Sequence, residues 1–194
     1  MKTHYLILGL APALALAACG GNETATNTAT VDNMTGMDMS DDLNATDNAS
    51  LAEAASPGQT FANTVGASDY YEIEAGKLAQ EKAQDQKLKD FGKLMVEHHT
   101  ASTEKLKAAG AKASPAITPS PTLNAEQEAN LATLRQAEGA AFDMAYKAQQ
   151  IAAHEKALAA VKDYAASGAV PELKAFANEA EKVVQAHLTK IKGL

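Results

Sequence analysis

The stretch 139–165, GAAFDMAYKAQQIAAHEKALAAVKDYA, repeats its apolar residues at the period of an α-helix. At 100° per residue the aromatic and aliphatic side chains fall on one broad face, and charged residues such as Glu155 and Lys156 fall on the other. Asp143, Gln150 and His154 lie within the apolar face. A buried polar group without a partner costs about 1–3 kcal/mol there. The stretch therefore predicts a core helix whose polar side chains need partners from the rest of the fold.

Three further long stretches have the same helical period, and none alternates like a β-strand. They predict helices over 63–84, 87–109 and 171–192, with Gly110 ending the second helix as a C-cap. Three prolines between residues 111 and 122 exclude a continuous helix there. Asn124 and Gln127 then predict a capped short helix that runs to about residue 138. The pattern predicts an all-α, four-helix bundle with a Pro-rich crossover between the second and third main helices.

The N-terminus predicts export from a bacterial cell. Residues 1–18 combine a basic start with an apolar run, which is typical of a signal peptide. The segment Leu16-Ala17-Ala18-Cys19 resembles the lipobox of bacterial lipoproteins, in which the cysteine is lipidated. The alternative is an ordinary cleaved signal followed by an isolated cysteine. Gly20 after the cysteine favours the outer membrane, so we expect a lipid-anchored envelope protein that faces the periplasm and contacts the membrane through Cys19.

Residues 20–60 contain acidic side chains but no Lys or Arg, and they are rich in Thr, Asn and Ala. This composition predicts that residues 19–60 comprise the lipidated cysteine and a disordered acidic tether, ahead of a bundle domain over 61–194. Met34, Met37 and Met39 in the tether are either soft ligands for Cu(I) or a product of biased composition. Arg135 is the only arginine, which argues against nucleic-acid binding.

The first helix is predicted to have Tyr70, Tyr71, Glu74 and Leu78 on one face. Each main helix has one metal-ligating residue near the centre of its predicted apolar face: Glu74, His99, His154 and His187. Their distances from the interhelical turns differ by only a few residues, so the four side chains are predicted to meet in one layer of the bundle. Three imidazoles and a carboxylate suit Fe, Zn, Cu or Mn. The alternative is a structural layer of neutral histidines that hydrogen-bond to Glu74, to tyrosines or to one another.

Four more polar residues lie near the predicted layer, as possible supports for its ligands: His98, Asp143, Tyr146 and Gln150. Asp143 is eleven residues from His154, or about 16 Å along the helix, so it is expected to cap or hydrogen-bond in another layer. No helix contains the Glu-x-x-His pair of di-iron carboxylate proteins. The chain also has no nucleophile elbow and no glycine-rich phosphate loop, so no enzymatic activity is predicted.

A set of residues in order along three helices resembles the bacterial domain-of-unknown-function 4142 family: Phe91, Met95-Val96, His99, Phe142-Asp143, Tyr146, His154 and His187-Leu188. The resemblance covers residues 61–194 and implies an exported protein of the ferritin-like superfamily. It implies recurrent family positions at Glu74, His99, Phe142, Asp143, Tyr146, His154 and His187. Family members commonly carry Asp before the first histidine, where this chain has His98.

The family resemblance implies no activity, so the functional prediction depends on the residues. The first hypothesis is an envelope lipoprotein that binds a transition metal in a metal-handling or stress role. The second is a structural or protein-interaction module of the envelope, in which the polar layer only sets the register of the helices.

Overall fold

The computed structural model describes residues 55–194 of the 194-residue chain. The signal peptide over 1–18, Cys19, most of the tether and the methionines at 34, 37 and 39 lie outside the described residues. Those predictions therefore stay predictions.

The described part is all-α, as predicted. Its five helices are α1 (Pro57–Lys82), α2 (Gln86–Lys112), α3 (Ala125–Gln136), α4 (Gly139–Ser167) and α5 (Pro171–Lys192). No strand occurs within residues 55–194. None of the helices in this range is long and apolar enough to cross a bilayer.

Local capping chemistry explains where several helices begin. Pro57 starts α1, ahead of the predicted start at residue 63, because proline fits the first helical turn and Ser56 accepts a hydrogen bond from the backbone of this turn. The Asp85 side chain accepts from Lys87 N at 2.8 Å and starts α2. The capping box predicted for α3 is present, with reciprocal bonds between Asn124 and Gln127.

The prediction that Gly110 ends the second helix was wrong. Helix α2 continues to Lys112, and Gly110 is buried within it. The Gly110 carbonyl accepts from Ile117 N at 3.0 Å, and a Cβ at Gly110 would collide with the Ile117 carbonyl. The glycine is therefore needed for the close return of the chain after the helix.

Helices α1, α2, α4 and α5 form the bundle, in which α1 packs against α2 and α4, and α5 packs against α2 and α4. The connection over 113–138 carries the chain from the end of α2 to the start of α4, and α3 within it packs on α1 and α4. This is the Pro-rich crossover that the sequence predicts.

Glycines bring α1 and α2 into close contact. A Cβ at Gly76 would lie 2.6 Å from the Gly92 carbonyl oxygen, and a Cβ at Gly92 would lie 2.7 Å from the Gly76 carbonyl oxygen. Cβ atoms essentially never lie this close to a backbone oxygen. Only glycine therefore allows the two helices to cross at this distance.

The apolar core has two parts. One surrounds the α1–α2 turn and is called here the turn-end core; its members include Ala75, Ala79, Phe91, Met95, Phe142, Tyr146 and Ile191. The other lies towards the start of α1 and α5 and is called the loop-end core; its members include Phe61, Val65, Leu106, Val161, Tyr164, Leu173 and Phe176. Both parts belong to the compact unit formed by residues 49–194. This unit therefore contains its own hydrophobic core.

Candidate metal centre

Buried polar side chains lie together across the middle of the bundle. Six polar residues in the described part are less than one-tenth exposed: Asp69, Glu72, His99, Gln150, His154 and His187. We call this set the histidine layer. Its residues come from all four bundle helices. Along α2, α4 and α5, residues of the turn-end core lie on one side of the layer and residues of the loop-end core lie on the other.

Three of the predicted ligands meet in this layer. One ring nitrogen from each of His99, His154 and His187 can be chosen so that all three lie within 4.8 Å of one another. His154 Nε2 and His187 Nδ1 are 3.4 Å apart. Two nitrogens bound to one tetrahedral zinc ion, each at 2.0–2.1 Å, lie about 3.4 Å apart. The His154–His187 pair therefore has the spacing of two ligands on a single ion.

A buried carboxylate orients His99. The Nδ1 atom of His99 lies 2.7 Å from Asp69 Oδ1, and Asp69 Oδ2 accepts a longer bond from Thr103 at 3.4 Å. With Nδ1–H donated to Asp69, the opposite nitrogen, Nε2, is directed into the layer, where it has no hydrogen-bond partner. Metal-ligating histidines commonly carry this kind of carboxylate on the nitrogen remote from the metal.

Two opposing effects act on the pKa of His99. Burial lowers it, but the hydrogen bond to Asp69 and the charges of Glu72 and Asp69 outweigh burial and raise the pKa above its usual value. The metal-free layer therefore favours a proton on His99. A metal ion bound at Nε2 has to displace that proton.

His154 has the opposite balance. Its Nδ1 atom donates to the Gln150 carbonyl oxygen at 2.8 Å, so Nε2 has a free lone pair. Burial lowers its pKa, and this effect exceeds the opposing charge of Glu72. A neutral imidazole with a free lone pair is the form that binds metal ions.

His187 lies between His154 and the surface. Its Nε2 atom is 2.8 Å from Nδ1 of His98, an exposed residue whose ring stacks on that of His187 with 5.1 Å between centroids. Burial, followed by the charges of His99, His154 and His98, lowers the pKa of His187 to about 2. When His187 donates from Nε2 to His98, its Nδ1 lone pair is directed at His154 and is available to an ion. His98 therefore lies within hydrogen-bond distance of His187, one of the predicted ligands.

Glu72 is a second buried carboxylate and is 1% exposed. Its Oε2 atom accepts from Gln150 Nε2 at 2.6 Å, and its Oε1 atom is 3.7 Å from His154 Nδ1. Gln150 therefore lies inside the layer, where its side chain binds Glu72 and its carbonyl accepts from His154. Within residues 55–194, no Lys or Arg forms an ion pair with Glu72 or Asp69.

Tyr146 is fully buried on the turn-end side of the layer, and its hydroxyl has no partner. Burial and then the charge of Glu72 raise its pKa well above the usual value. The Gln150 Oε1 atom also lacks a partner. Buried polar atoms without a hydrogen-bond partner therefore occur on Tyr146 and Gln150 as well as on His99.

The inward position predicted for Glu74 needs correction. Glu74 is partly exposed, and its Oε1 atom accepts from Lys77 Nζ at 2.8 Å on the helix surface. Two residues correspond to a rotation of about 200° around a helix, so Glu72 and Glu74 are directed to opposite sides of α1. Glu72 and Asp69 are the carboxylates that α1 contributes to the layer.

Asp143 does not belong to the histidine layer. Its two carboxylate oxygens accept from the backbone nitrogens of Gln84 and Asp85, at 2.9 and 3.0 Å. It therefore caps the turn between α1 and α2, which confirms its predicted role as a hydrogen-bonding residue in another layer and excludes it as a support for the histidines.

Helical periodicity did not predict that Asp69 and Glu72 are buried, because the buried face of α1 consists mostly of small residues. Ala62, Val65, Asp69, Glu72, Gly76 and Ala79 follow one another at intervals of three or four residues. This spacing of small side chains is the sequence pattern that indicates the buried face of α1. The predicted face instead carries Tyr70, Tyr71 and Leu78; Tyr71 is buried, but Tyr70 is 44% exposed.

Comparisons with known proteins agree with the family resemblance. The model of the family described as "Domain of unknown function (DUF4142)" matches residues 43–194. A search of curated proteins and a search of solved structures each returned no match.

Proposed function

The chain belongs to the DUF4142 family, and from this premise and the geometry of the histidine layer we propose that it binds a divalent transition metal. The ligands are His99 Nε2, His154 Nε2 and His187 Nδ1. Asp69, His98 and the Gln150 carbonyl each hold the second nitrogen of one of these rings, so that the free nitrogens converge.

The observation that carries this proposal is the charge of the layer. Two carboxylates, Asp69 and Glu72, are buried without Lys or Arg, and each has one imidazole beside it, that of His99 at 2.7 Å and that of His154 at 3.7 Å. Buried charges in proteins are paired or bind metal ions, because an isolated buried charge is strongly unfavourable. One proton on His99 compensates one carboxylate, whereas a divalent ion compensates both.

The donor set favours particular ions. Three imidazole nitrogens suit zinc and copper better than the oxygen-seeking ions magnesium, calcium and manganese. Three protein ligands also leave one tetrahedral position open. We infer Zn²⁺ as the first candidate and Cu²⁺ as the second, within the wider set of Fe, Zn, Cu and Mn.

We place this metal-binding bundle on a lipid anchor at Cys19, at the outer membrane and facing the periplasm, in a metal-handling or stress role. The support is the Leu16-Ala17-Ala18-Cys19 segment behind an apolar run. Labelling of cells with radioactive palmitate tests the anchor: the full chain should incorporate label, and Cys19→Ser should abolish it. Label retained by the variant would contradict lipidation at this residue.

A second candidate is the structural or interaction module. It is favoured by a continuous chain of contacts from His98 through His187 and His154 to the Gln150 carbonyl, which links three helices without any ion. In this version the layer only sets the register of the helices, and changes within it alter stability or partner binding but not metal content.

The deciding experiment is metal titration of the compact unit 49–194, by calorimetry and by elemental analysis after desalting. We expect about one Zn²⁺ per chain and loss of binding in the His154→Ala/His187→Ala variant. Glu72→Gln removes one of the two buried carboxylates that the ion compensates, so it should weaken binding about 10- to 100-fold, the range for changes next to metal ligands.

Glu74→Gln is the matched control, because it makes the same change on the same helix at a position outside the layer. It should leave metal affinity unchanged. A folded wild-type unit that binds neither Zn²⁺ nor Cu²⁺ would overturn the metal proposal and favour the structural module.

A further inference from the structure

A cavity of about 270 Å³ borders the histidine layer on the side of the loop-end core. Its inner walls are apolar and include Val65, Val161, Phe176 and Val184. His99 and His187 also line it. A cavity of roughly 150 Å³ lined by aliphatic side chains is large enough to hold benzene, so this one has room for a larger apolar molecule.

The cavity opens to solvent between α2 and α5. Its lining there includes the exposed residues Lys105, Glu179 and Val183. Small side chains on both helices, Ser102 and Ala180 among them, leave the gap between the two backbones unfilled. Lys105 and Glu179 face each other across the opening at 3.5 Å.

One buried atom lacks a partner at the histidine end. His99 is only 7% exposed, lines the cavity, and its Nε2 atom makes no hydrogen bond. Asp69 also lines this end, but its carboxylate is bonded to His99 and Thr103. The end of the cavity therefore offers a nitrogen for an oxygen-bearing group, whereas most of its length is apolar.

The cavity is long in the direction of the helices. Its lining on α5 extends from Phe176 to His187, a distance of about 16 Å at 1.5 Å per residue. On α2 the lining extends from His98 to Lys105, or about 10 Å. These dimensions suit an extended chain better than a compact ring.

We propose that this cavity binds a medium-chain carboxylate, with the acyl chain along the apolar walls and the carboxylate directed at His99 Nε2. In the metal-free protein the head group forms a hydrogen bond with this nitrogen, which has no other partner. With a metal ion held by His99, His154 and His187, the same head group would serve as a further oxygen ligand. This ligand goes beyond the proposed metal function, and its binding does not require the metal.

Octanoate is the probe, titrated by calorimetry into the unit 49–194 in its metal-free and Zn²⁺-treated forms. Octanol, which has the same chain without the charge, tests the head group. Ala180→Leu adds carbon atoms inside the cavity. Ala186→Leu makes the same substitution at an exposed position of α5 and serves as its control. Circular dichroism confirms that both variants remain helical.

We expect octanoate to bind both forms, at least tenfold more tightly than octanol. Ala180→Leu should weaken octanoate binding at least tenfold, and Ala186→Leu should leave it unchanged. If the protein takes up no metal but octanoate binds as described, the metal proposal fails and the cavity proposal stands.

Two results would overturn the cavity proposal whatever happens to the metal. The first is the absence of octanoate binding to either form of the wild-type unit. The second is equal binding by the wild type and Ala180→Leu, which would place octanoate elsewhere. Equal affinity for octanol and octanoate would overturn the carboxylate assignment and identify the occupant as a neutral apolar molecule.

Discussion

The turn-end and loop-end cores have similar side chains but pack differently. In the turn-end core, Gly76 and Gly92 bring α1 and α2 into backbone contact, and Phe91 and Met95 are fully buried. The loop-end core contributes Val65, Val161 and Phe176 to the walls of a cavity of about 270 Å³. In the described part, the turn-end core thus lies where two helix backbones touch, whereas the loop-end core borders a space large enough for a small molecule.

The difference shows what small residues do in a helical bundle. They allow close approach where both facing helices have them at the same level, as at the crossing of α1 and α2. In the loop-end core, the ring of Phe61 stacks on Tyr164 with 3.9 Å between centroids and packs edge-on against Phe176. These rings occupy the space between α1, α4 and α5. Because the backbones do not come closer together, the alanines nearby border a gap.

The largest expected effect comes from removal of a fully buried aromatic ring in the turn-end core. Phe91→Ala should lower the free energy of unfolding by about 3–5 kcal/mol, because the well-packed surroundings cannot collapse into the space. Phe176→Ala should cost about half as much, since this ring already borders a cavity. Urea unfolding of both variants in the metal-free unit measures the difference. Equal losses would contradict the contrast between the two cores.

Replacement of a small side chain by a larger one tests the same difference between the turn-end and loop-end cores. Ala79→Leu should destabilise the unit by about 1–3 kcal/mol, because Ala79 is fully buried where Gly92 approaches it closely. Ala180→Leu should be neutral or stabilise by about 0.5–2 kcal/mol, since it fills empty space. Thermal unfolding of the two variants provides the comparison. A loss of stability in Ala180→Leu as large as that in Ala79→Leu would show that the cavity is not available to added side chains.

The histidine layer between the two cores makes the metal-free protein sensitive to acid. His154 and His187 have lowered pKa values in the folded state, so below the unfolded value of about 6.5 the unfolded chain binds protons that the folded chain excludes. Stability should therefore fall as the pH falls from 7 to 5, by up to about 1.4 kcal/mol per pH unit for each of these groups.

His99 acts in the opposite direction. Its raised folded pKa contributes stability that is fully present below about pH 6.5 and is lost as the pH rises through the folded value. It therefore offsets part of the acid effect. Urea unfolding at pH 7 and pH 5 measures the sum, and His154→Gln/His187→Gln should show a smaller decline than the wild type. An unchanged decline in the variant would assign the acid sensitivity to other groups.

The smallest effect concerns the opening of the cavity. The Lys105–Glu179 pair is exposed, and surface pairs of this kind contribute about 0.2–1 kcal/mol, less at high salt. Lys105→Gln should therefore change the unfolding free energy by less than about 0.5 kcal/mol. A larger loss, measured at low and high salt, would show that the pair holds α2 and α5 together.

Periodicity and capping predicted most of the fold. The start of α4 at Gly139, both ends of α5 and the capping box at Asn124 follow from local rules that do not depend on the rest of the chain. Periodicity also indicated that His99, His154 and His187 are buried, because large apolar residues define the faces of α2, α4 and α5.

Periodicity did not predict the two carboxylates of the layer, Asp69 and Glu72. Helix α1 buries mainly alanine and glycine, whose hydrophobic signal is weak. Its apolar face is therefore predicted from Tyr70, Tyr71 and Leu78, which points to Glu74 in place of Glu72. Only packing against α2 and α4 decides which side of such a helix is buried. The position of His98 beside His187 likewise depends on the distance between α2 and α5.

The sequence by itself determined the helices, their order, the crossover and three of the layer's histidines, because these depend on side chains close together along the chain. Tertiary structure alone decided that Asp69 and Glu72 join them, that α1 and α2 touch at two glycines, and that a cavity remains beside the histidines. Each of these results depends on distances between helices, and those distances are set by the packing of side chains from all four bundle helices at once.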